Sequence, residues 1–417
     1  MGSRHALPCL VMLALQVTLP WTAAAQDAVR DSPVSLTWRT SLKVEAVFAR
    51  APRAPELFAD RGSTDALWRL RTEPVVTFGP GAVVNVAYEQ RVRWGSASGN
   101  TLTTMILPSS APTPFRVTPL DWSISNSSHH TWEHEIDRLN VRVRLPRADL
   151  TIGRQAIGWG RGVMFGAVDL FAPFSPLEAD REWRRGVDAI HADVKLTDHS
   201  SFDIVAAAGR RWTDSAIAAR ARGYAGSVDV ELMAGRRGRD VFGGAATSAA
   251  IGDSAVHGEA ALFAIQSVAR EGRDAVWKVV AGGSYRFPLG SGLLAYAEYH
   301  YSGFGASRPA QILPLLATPS FQERYLRGDT QILSRHAIAV TGSYEQSLDL
   351  GWSGQWVFNP ADGSGIIAPG FTFTLRDDAS VGGYAYFPYG RTPVETLLRS
   401  EYGSAPVAAF LQFRLYF

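Results

Sequence analysis

The 417-residue chain has a single cysteine, a near balance of charge and, after its N-terminal leader, no run of the roughly 18 to 20 apolar residues that a membrane helix requires. The cysteine, Cys9, lies inside an apolar stretch from Ala6 to Leu19, behind Arg4 and His5 and ahead of Ala23-Ala24-Ala25. That three-part pattern is a secretory leader, so cleavage is expected after Ala25, with residues 26–33 as a short N-terminal segment. A lipid anchor would need its cysteine just past the apolar run, where none stands. The exported chain then carries no thiol and no disulfide framework. Lys and Arg total 41 against 39 Asp and Glu, a net charge of +2, which argues against nucleic acid as a partner.

Lacking a membrane helix, a chain can still cross a bilayer as a closed barrel, the other architecture that satisfies every backbone group in lipid. The sequence has the matching signature. Aromatic residues make up 11 % and mean hydropathy is −0.04, as expected where outward apolar residues alternate with inward polar ones. Segments with a period of two run from Val34 to Phe48, Ala66 to Phe78, Ala82 to Trp94, Thr131 to Leu145, Asp149 to Ile157, Val187 to Thr197, Phe202 to Ala208, Ala216 to Tyr224 and Val228 to Gly235. They continue over Val241 to Ile251, Val256 to Gln266, Ala275 to Phe287, Leu293 to Tyr301, Ile332 to Tyr344, Leu350 to Phe358, Ile367 to Leu375, Val381 to Pro388 and Val407 to Phe417.

This predicts an all-β, antiparallel up-and-down transmembrane barrel of about 18 strands over residues 34–417, or 16 if the Ala-rich pair between Ala216 and Gly235 drops out. Parity supports either even number. The long segments 95 to 130, 158 to 184 and 303 to 330 all fall on one side, and short turns such as Gly79-Pro80-Gly81 and Pro146-Arg147 on the other. A soluble sandwich or propeller would not segregate its loops in this way, and no blade-length repeat is present.

The last strand carries Ala409, Leu411, Phe413 and Leu415 on one face and closes on Phe417. It resembles the assembly signal of Gram-negative outer-membrane barrels, which implies the bacterial outer membrane as location, its lipid as surroundings and the barrel assembly machinery as a partner during insertion. The stretch from Ile152 through Gly153, Arg154, Gln155 and Trp159 to Gly160, followed by Asp169 and Pro173, is similar to the GRQ-x-x-x-WG segment of porin-like proteins. That resemblance implies a channel, and such barrels are often homotrimers.

Candidate site residues follow from strand alternation. Arg69, Arg71, Arg91, Arg93, Arg142 and Arg144 share the inward faces of the second to fourth strands and would form a basic wall, with Glu73 and Glu89 as partial counter-charges. Arginine rows in a pore favour anions. The third outer loop, residues 158 to 184, holds Phe165, Phe171 and Phe174 beside Asp169, Glu178, Asp180 and Glu182. Folding inward would bury its aromatics and bring its carboxylates opposite the basic wall, a constriction that resembles the third loop of general porins. Gln155, His191, Asp193 and Lys195 are further lumen candidates. Strict alternation turns Arg154 outward with Leu150 and Ile152, tolerable only near headgroups or after a bulge.

Other chemistry has weak support. His129, His130 and His134 lack a ligand spacing, and no Ser-His-carboxylate set stands out, so neither a metal, a cofactor nor an enzyme is expected. The function indicated is passage of small polar solutes with a preference for anions. The alternative is a dedicated exporter or uptake barrel for an acidic polysaccharide or another specific ligand, and last an outer-membrane enzyme.

Overall fold

The computed structural model describes residues 33–58, 61–95, 106–107, 113–266 and 273–417. The expected leader lies outside the described residues. The strands are β1 (Val34–Arg50), β2 (Gly62–Phe78), β3 (Ala82–Gly95), β4 (Asp121–Asn126), β5 (His130–Leu145), β6 (Ala148–Gln155), β7 (Val187–Thr197), β8 (Ser200–Ala207), β9 (Ala216–Ala225) and β10 (Val228–Arg237). There follow β11 (Asp240–Ile251), β12 (Ser254–Gln266), β13 (Arg273–Phe287), β14 (Leu293–Ser302), β15 (His336–Glu345), β16 (Leu350–Asn359), β17 (Ser364–Arg376), β18 (Ala379–Tyr389) and β19 (Val407–Tyr416). Apart from β4, each pairs antiparallel with its neighbours in chain order, and β19 returns to β1, closing an 18-stranded barrel. Closure leaves no open edge in the wall. Beyond β19, the Phe417 N–H and C=O exchange bonds of 2.8 and 2.7 Å with Thr40.

The polarity is that of a barrel in lipid. Along β5, Leu139, Val141, Val143 and Leu145 are exposed on the outer face, while Asn140 is buried against Asn85 of β3. Bulky apolar side chains repeat outward around the barrel, and the packed apolar core is inside it. That core joins Trp159, Phe165 and Phe171 of the 156–186 connection to inward residues such as Val47, Val205, Phe263 and Phe410. The longer connections, among them 51–61, 96–129, 156–186, 208–215, 303–335 and 390–406, start and end at one rim, and the opposite rim has turns of two to five residues.

Among the differences from the sequence-based expectation, three arise at the connections. The segment 95–130, read as loop throughout, contains β4, which extends the free edge of β5 where β6 is too short to reach. β6 stops at Gln155 instead of Ile157, because Gly153, at φ +114°, and the residues after Gln155 turn the chain into the lumen. β15 begins at His336 instead of Ile332, since Ile332 is buried with the loop aromatics.

Candidate functional site

The connection between β6 and β7 crosses the lumen. Its first half binds Glu259 of β12 and Glu298 of β14 through backbone amides. Its second half meets β1 and β2, where Lys43 Nζ lies 2.6 Å from both Asp180 and Glu182, and Arg69 lies 3.1 Å from Asp180. The Tyr416 hydroxyl also donates to Glu182, at 2.7 Å.

The basic wall is a mixed-charge network. Arg69 reaches Glu89 at 3.2 Å, and Arg71 reaches Glu73, Glu89 and Asp137 at 3.0, 3.3 and 3.0 Å. Arg91 binds Glu135, and Arg116 from the 96–129 connection adds bonds of 2.5 Å to Glu135 and 3.2 Å to Asp137. A bulge in β5 makes this density possible. The β3–β5 register skips Asp137, so both it and the adjacent Arg138 face the lumen and bond to each other. Trp183 covers the cluster, its ring 3.7 Å from Lys43 Nζ and 5.0 Å from the Arg69 and Arg71 guanidinium carbons.

Between this wall and the loop lies a cavity of about 410 Å³, lined by Arg69, Arg71, Arg91, Arg93, Arg185 and Arg327 and by Glu89, Glu135, Asp137, Glu178 and Asp180. Six guanidinium groups therefore face five carboxylates. Burial pushes Asp180 up, but Lys43 and Arg69 outweigh it and hold the carboxyl below its usual range. Glu178 has weaker help, a backbone N–H from Ser175 and the charge of Arg181, and burial raises it to about 7. Burial lowers Arg185 to about 10, with Glu135 opposing.

The remaining expected residues are placed as follows. Arg142 and Arg144 share the inward face of β5 but sit exposed beside the 146–147 turn, away from the residues that line the cavity. Asp169 pairs with Arg184 at 2.6 Å, inside the loop itself. Gln155 is buried, its amide spent on the carbonyls of Thr151, Gly153 and Ala189. His191 and Asp193 join a second inward network with Asp203, Arg220 and Arg222, and Lys195 is exposed near the turn rim. Arg154 does face outward, yet it is buried. Its guanidinium binds Asp188 at 2.7 Å and the carbonyls of Ile136 and Thr118, under the segment leading into β4. His134 stacks between Trp122 and Trp132 on the outer surface, and among the described residues no cluster suited to a metal is present.

Sequence reasoning did not single out Lys43, Trp183, Arg116, Arg138 or Arg185 as site residues. Lys43 and Arg138 were detectable as charges at inward strand positions, whereas Arg116, Trp183 and Arg185 sit on connections whose path has no periodic signal.

No family model matches the sequence, and no curated protein matches it. By shape the barrel is similar to the crystal structures of Pseudomonas aeruginosa OccK9 (OpdG), with a TM-score of 0.57 at 9 % identity, and Acinetobacter baumannii OccAB4, with 0.55 at 9 %. In each case 92 % of this chain covers 98 % of the other. P. aeruginosa OpdK, solved with vanillate, superposes with a TM-score of 0.52 at 10 % identity, over 91 % of this chain and 98 % of OpdK. The fold is that of outer-membrane porins. At these identities the likeness concerns the path of the chain and leaves the lumen chemistry to this protein's own residues.

Proposed function

We propose that the protein is a porin-like channel of the bacterial outer membrane, passing small polar solutes with a preference for anions. The observation that carries this reading is the 410 Å³ cavity flanked by six arginines at the point where the loop narrows the lumen. Each guanidinium there is charged at any physiological pH, so the anion bias is set by how many carboxylates remain ionised beside it. The short turns would face the periplasm and the outward apolar belt would face lipid.

The pairing of the wall arginines with carboxylates argues for a modest bias, because a charge-neutralised pair attracts a passing ion less than an uncompensated charge does. Single-channel recording of the refolded mature protein in a salt gradient tests it. Open steps with a reversal potential favouring anions, diminished in Arg93→Ser plus Arg185→Ser, are expected. Current that is cation-selective at neutral pH would overturn the anion assignment.

One observation favours the second reading, a dedicated barrel for an acidic polysaccharide. A further cavity of about 600 Å³ at the loop rim carries Arg116, Arg210 and Arg211 together with Asp121, Glu133, Asp214 and Glu323, and continues from the first through Arg91, Arg185 and Arg327. Saturable block of the current by an acidic oligosaccharide, with no block by its neutral analogue, would favour that assignment.

A further inference from the structure

Eight consecutive backbone N–H groups, from Arg161 to Val168, donate to three side chains outside their own loop. One Glu259 carboxylate oxygen accepts from Arg161 and, at 2.7 Å, from Gly162; its other oxygen accepts from Ala167 at 2.7 Å and Val168 at 3.3 Å. Glu298 takes Val163 at 2.5 Å on one oxygen and Met164 and Phe165 at 2.9 and 3.0 Å on the other. Gln331 takes the remaining amide, that of Gly166, at 2.8 Å.

The arrangement is costly to build for packing alone. Both carboxylates are buried, at 3 % and 2 % exposure, and a buried carboxylate is tolerated only where hydrogen bonds replace its hydration. Here backbone amides provide most of that replacement, and His257 Nε2 lies 2.9 Å from Glu298. The Arg161 side chain turns away, to Asp229 at 2.5 Å and Glu231 at 2.7 Å, and Arg181 caps the Val163 carbonyl at 3.1 Å.

The local sequence is fitted to this contact. Gly160 has φ +105°, and a Cβ there would stand 2.7 Å from the Glu259 carboxylate; a Cβ on Gly162 would stand 1.8 Å from the Phe165 carbonyl oxygen. The Trp-Gly-Arg-Gly run therefore turns the backbone amides onto an anion, and the anion is supplied by the opposite wall.

We infer that Glu259 and Glu298 are positioning residues for the constriction: they clasp the loop across the lumen and thereby fix the width left beside the arginine cluster. This rests on the channel reading above. Without the two carboxylates, the loop keeps its anchors at Lys43 and Arg69 and, on the far side, the Arg161 side-chain pairs with Asp229 and Glu231 and the Gln331 bond to Gly166, but seven backbone amides lose their acceptors, so the narrowing is loosened.

Hydrogen exchange on the folded barrel tests the clasp directly, and conductance tests its consequence. In the wild type the 161–168 amides are expected to exchange as slowly as strand amides; in Glu259→Ala/Glu298→Ala they should exchange at least about 100-fold faster, with β17 amides unchanged. The same variant should pass open-channel current altered by about twofold or more, with greater fluctuation. Free exchange of 161–168 in the wild type, or unaltered protection in the double variant, overturns the inference, as does a loosened loop with wild-type current. If the wild type conducts nothing while exchange behaves as expected, the clasp stands and the channel reading falls. Should the double variant fail to fold, Gly162→Ala must loosen the same eight amides through its Cβ.

Discussion

Gln412 of β19 donates a hydrogen bond of 2.7 Å to Glu45 of β1, its register partner, across the seam where the last strand meets the first. Both side chains are buried, so this bond is not exchanged for water while the barrel is closed. Gln412→Leu removes the donor and leaves Glu45 more poorly satisfied. A loss of about 1–3 kcal/mol is expected, read as a lower urea midpoint in detergent with an unchanged slope. An unshifted midpoint would mean that the seam depends on its backbone ladder alone.

Glu178 predicts a pH-dependent selectivity. Its carboxyl is raised to about 7, so it is neutral below that value and negative above it. The cavity's six guanidinium groups then face four charged carboxylates in acid and five in base. Anion preference should grow as pH falls from 8.5 to 5.5, and Glu178→Gln should hold the reversal potential at its acid value throughout.

Arg154 and Asp188 predict a local weakness in the wall. The guanidinium, 1 % exposed, also holds the Thr118 carbonyl, and Asp188 accepts from the amides of Val117 and Thr118. Asp188→Ala strands a buried cation at a cost of about 3–5 kcal/mol and frees the segment ahead of β4. Limited proteolysis should then cut between residues 113 and 126 while the barrel remains heat-modifiable; resistance equal to wild type would refute the latch.

Asp329 ties the 303–335 connection to β10 through Arg237 and gathers Arg324 and Arg327 of the same connection around it. Burial alone would raise its carboxyl, but the three guanidinium groups outweigh it and hold the value well below normal. A lowered carboxyl contributes stability that is complete above its unfolded value and is lost as pH falls toward the folded one. Acid should therefore loosen this connection, and Asp329→Asn should do so at neutral pH, seen as faster tryptic cleavage after Arg324 and Arg327.

The strands were legible because lipid and lumen impose opposite polarities at every second residue, a signal strong enough to place β9 and β10 despite their alanines. β4 was not legible: Trp122 and Ile124 alternate over only six residues, inside a segment dominated by Ser, Thr and Pro. At the site, alternation turned Arg69, Arg71, Arg91 and Arg93 toward the lumen but said nothing of their partners. Pairing with Asp180 or Asp137 depends on a loop path and on a one-residue bulge, and neither leaves a periodic trace. Arg154 illustrates the same limit, since its outward direction followed from Ile152 while its burial depends on a segment more than thirty residues earlier.

The clasp on the 161–168 amides also has a direction in the sequence. Its acceptors lie 91 to 165 residues further along the chain than its donors. Without β12 and β14 in the wall, the loop can reach Lys43, Arg69, Asp229 and Glu231, but seven of the eight amides have no carboxylate to bind. The fixed narrowing is thus a property of the closed barrel, since the loop's carboxylate acceptors stand on strands that follow it in the chain.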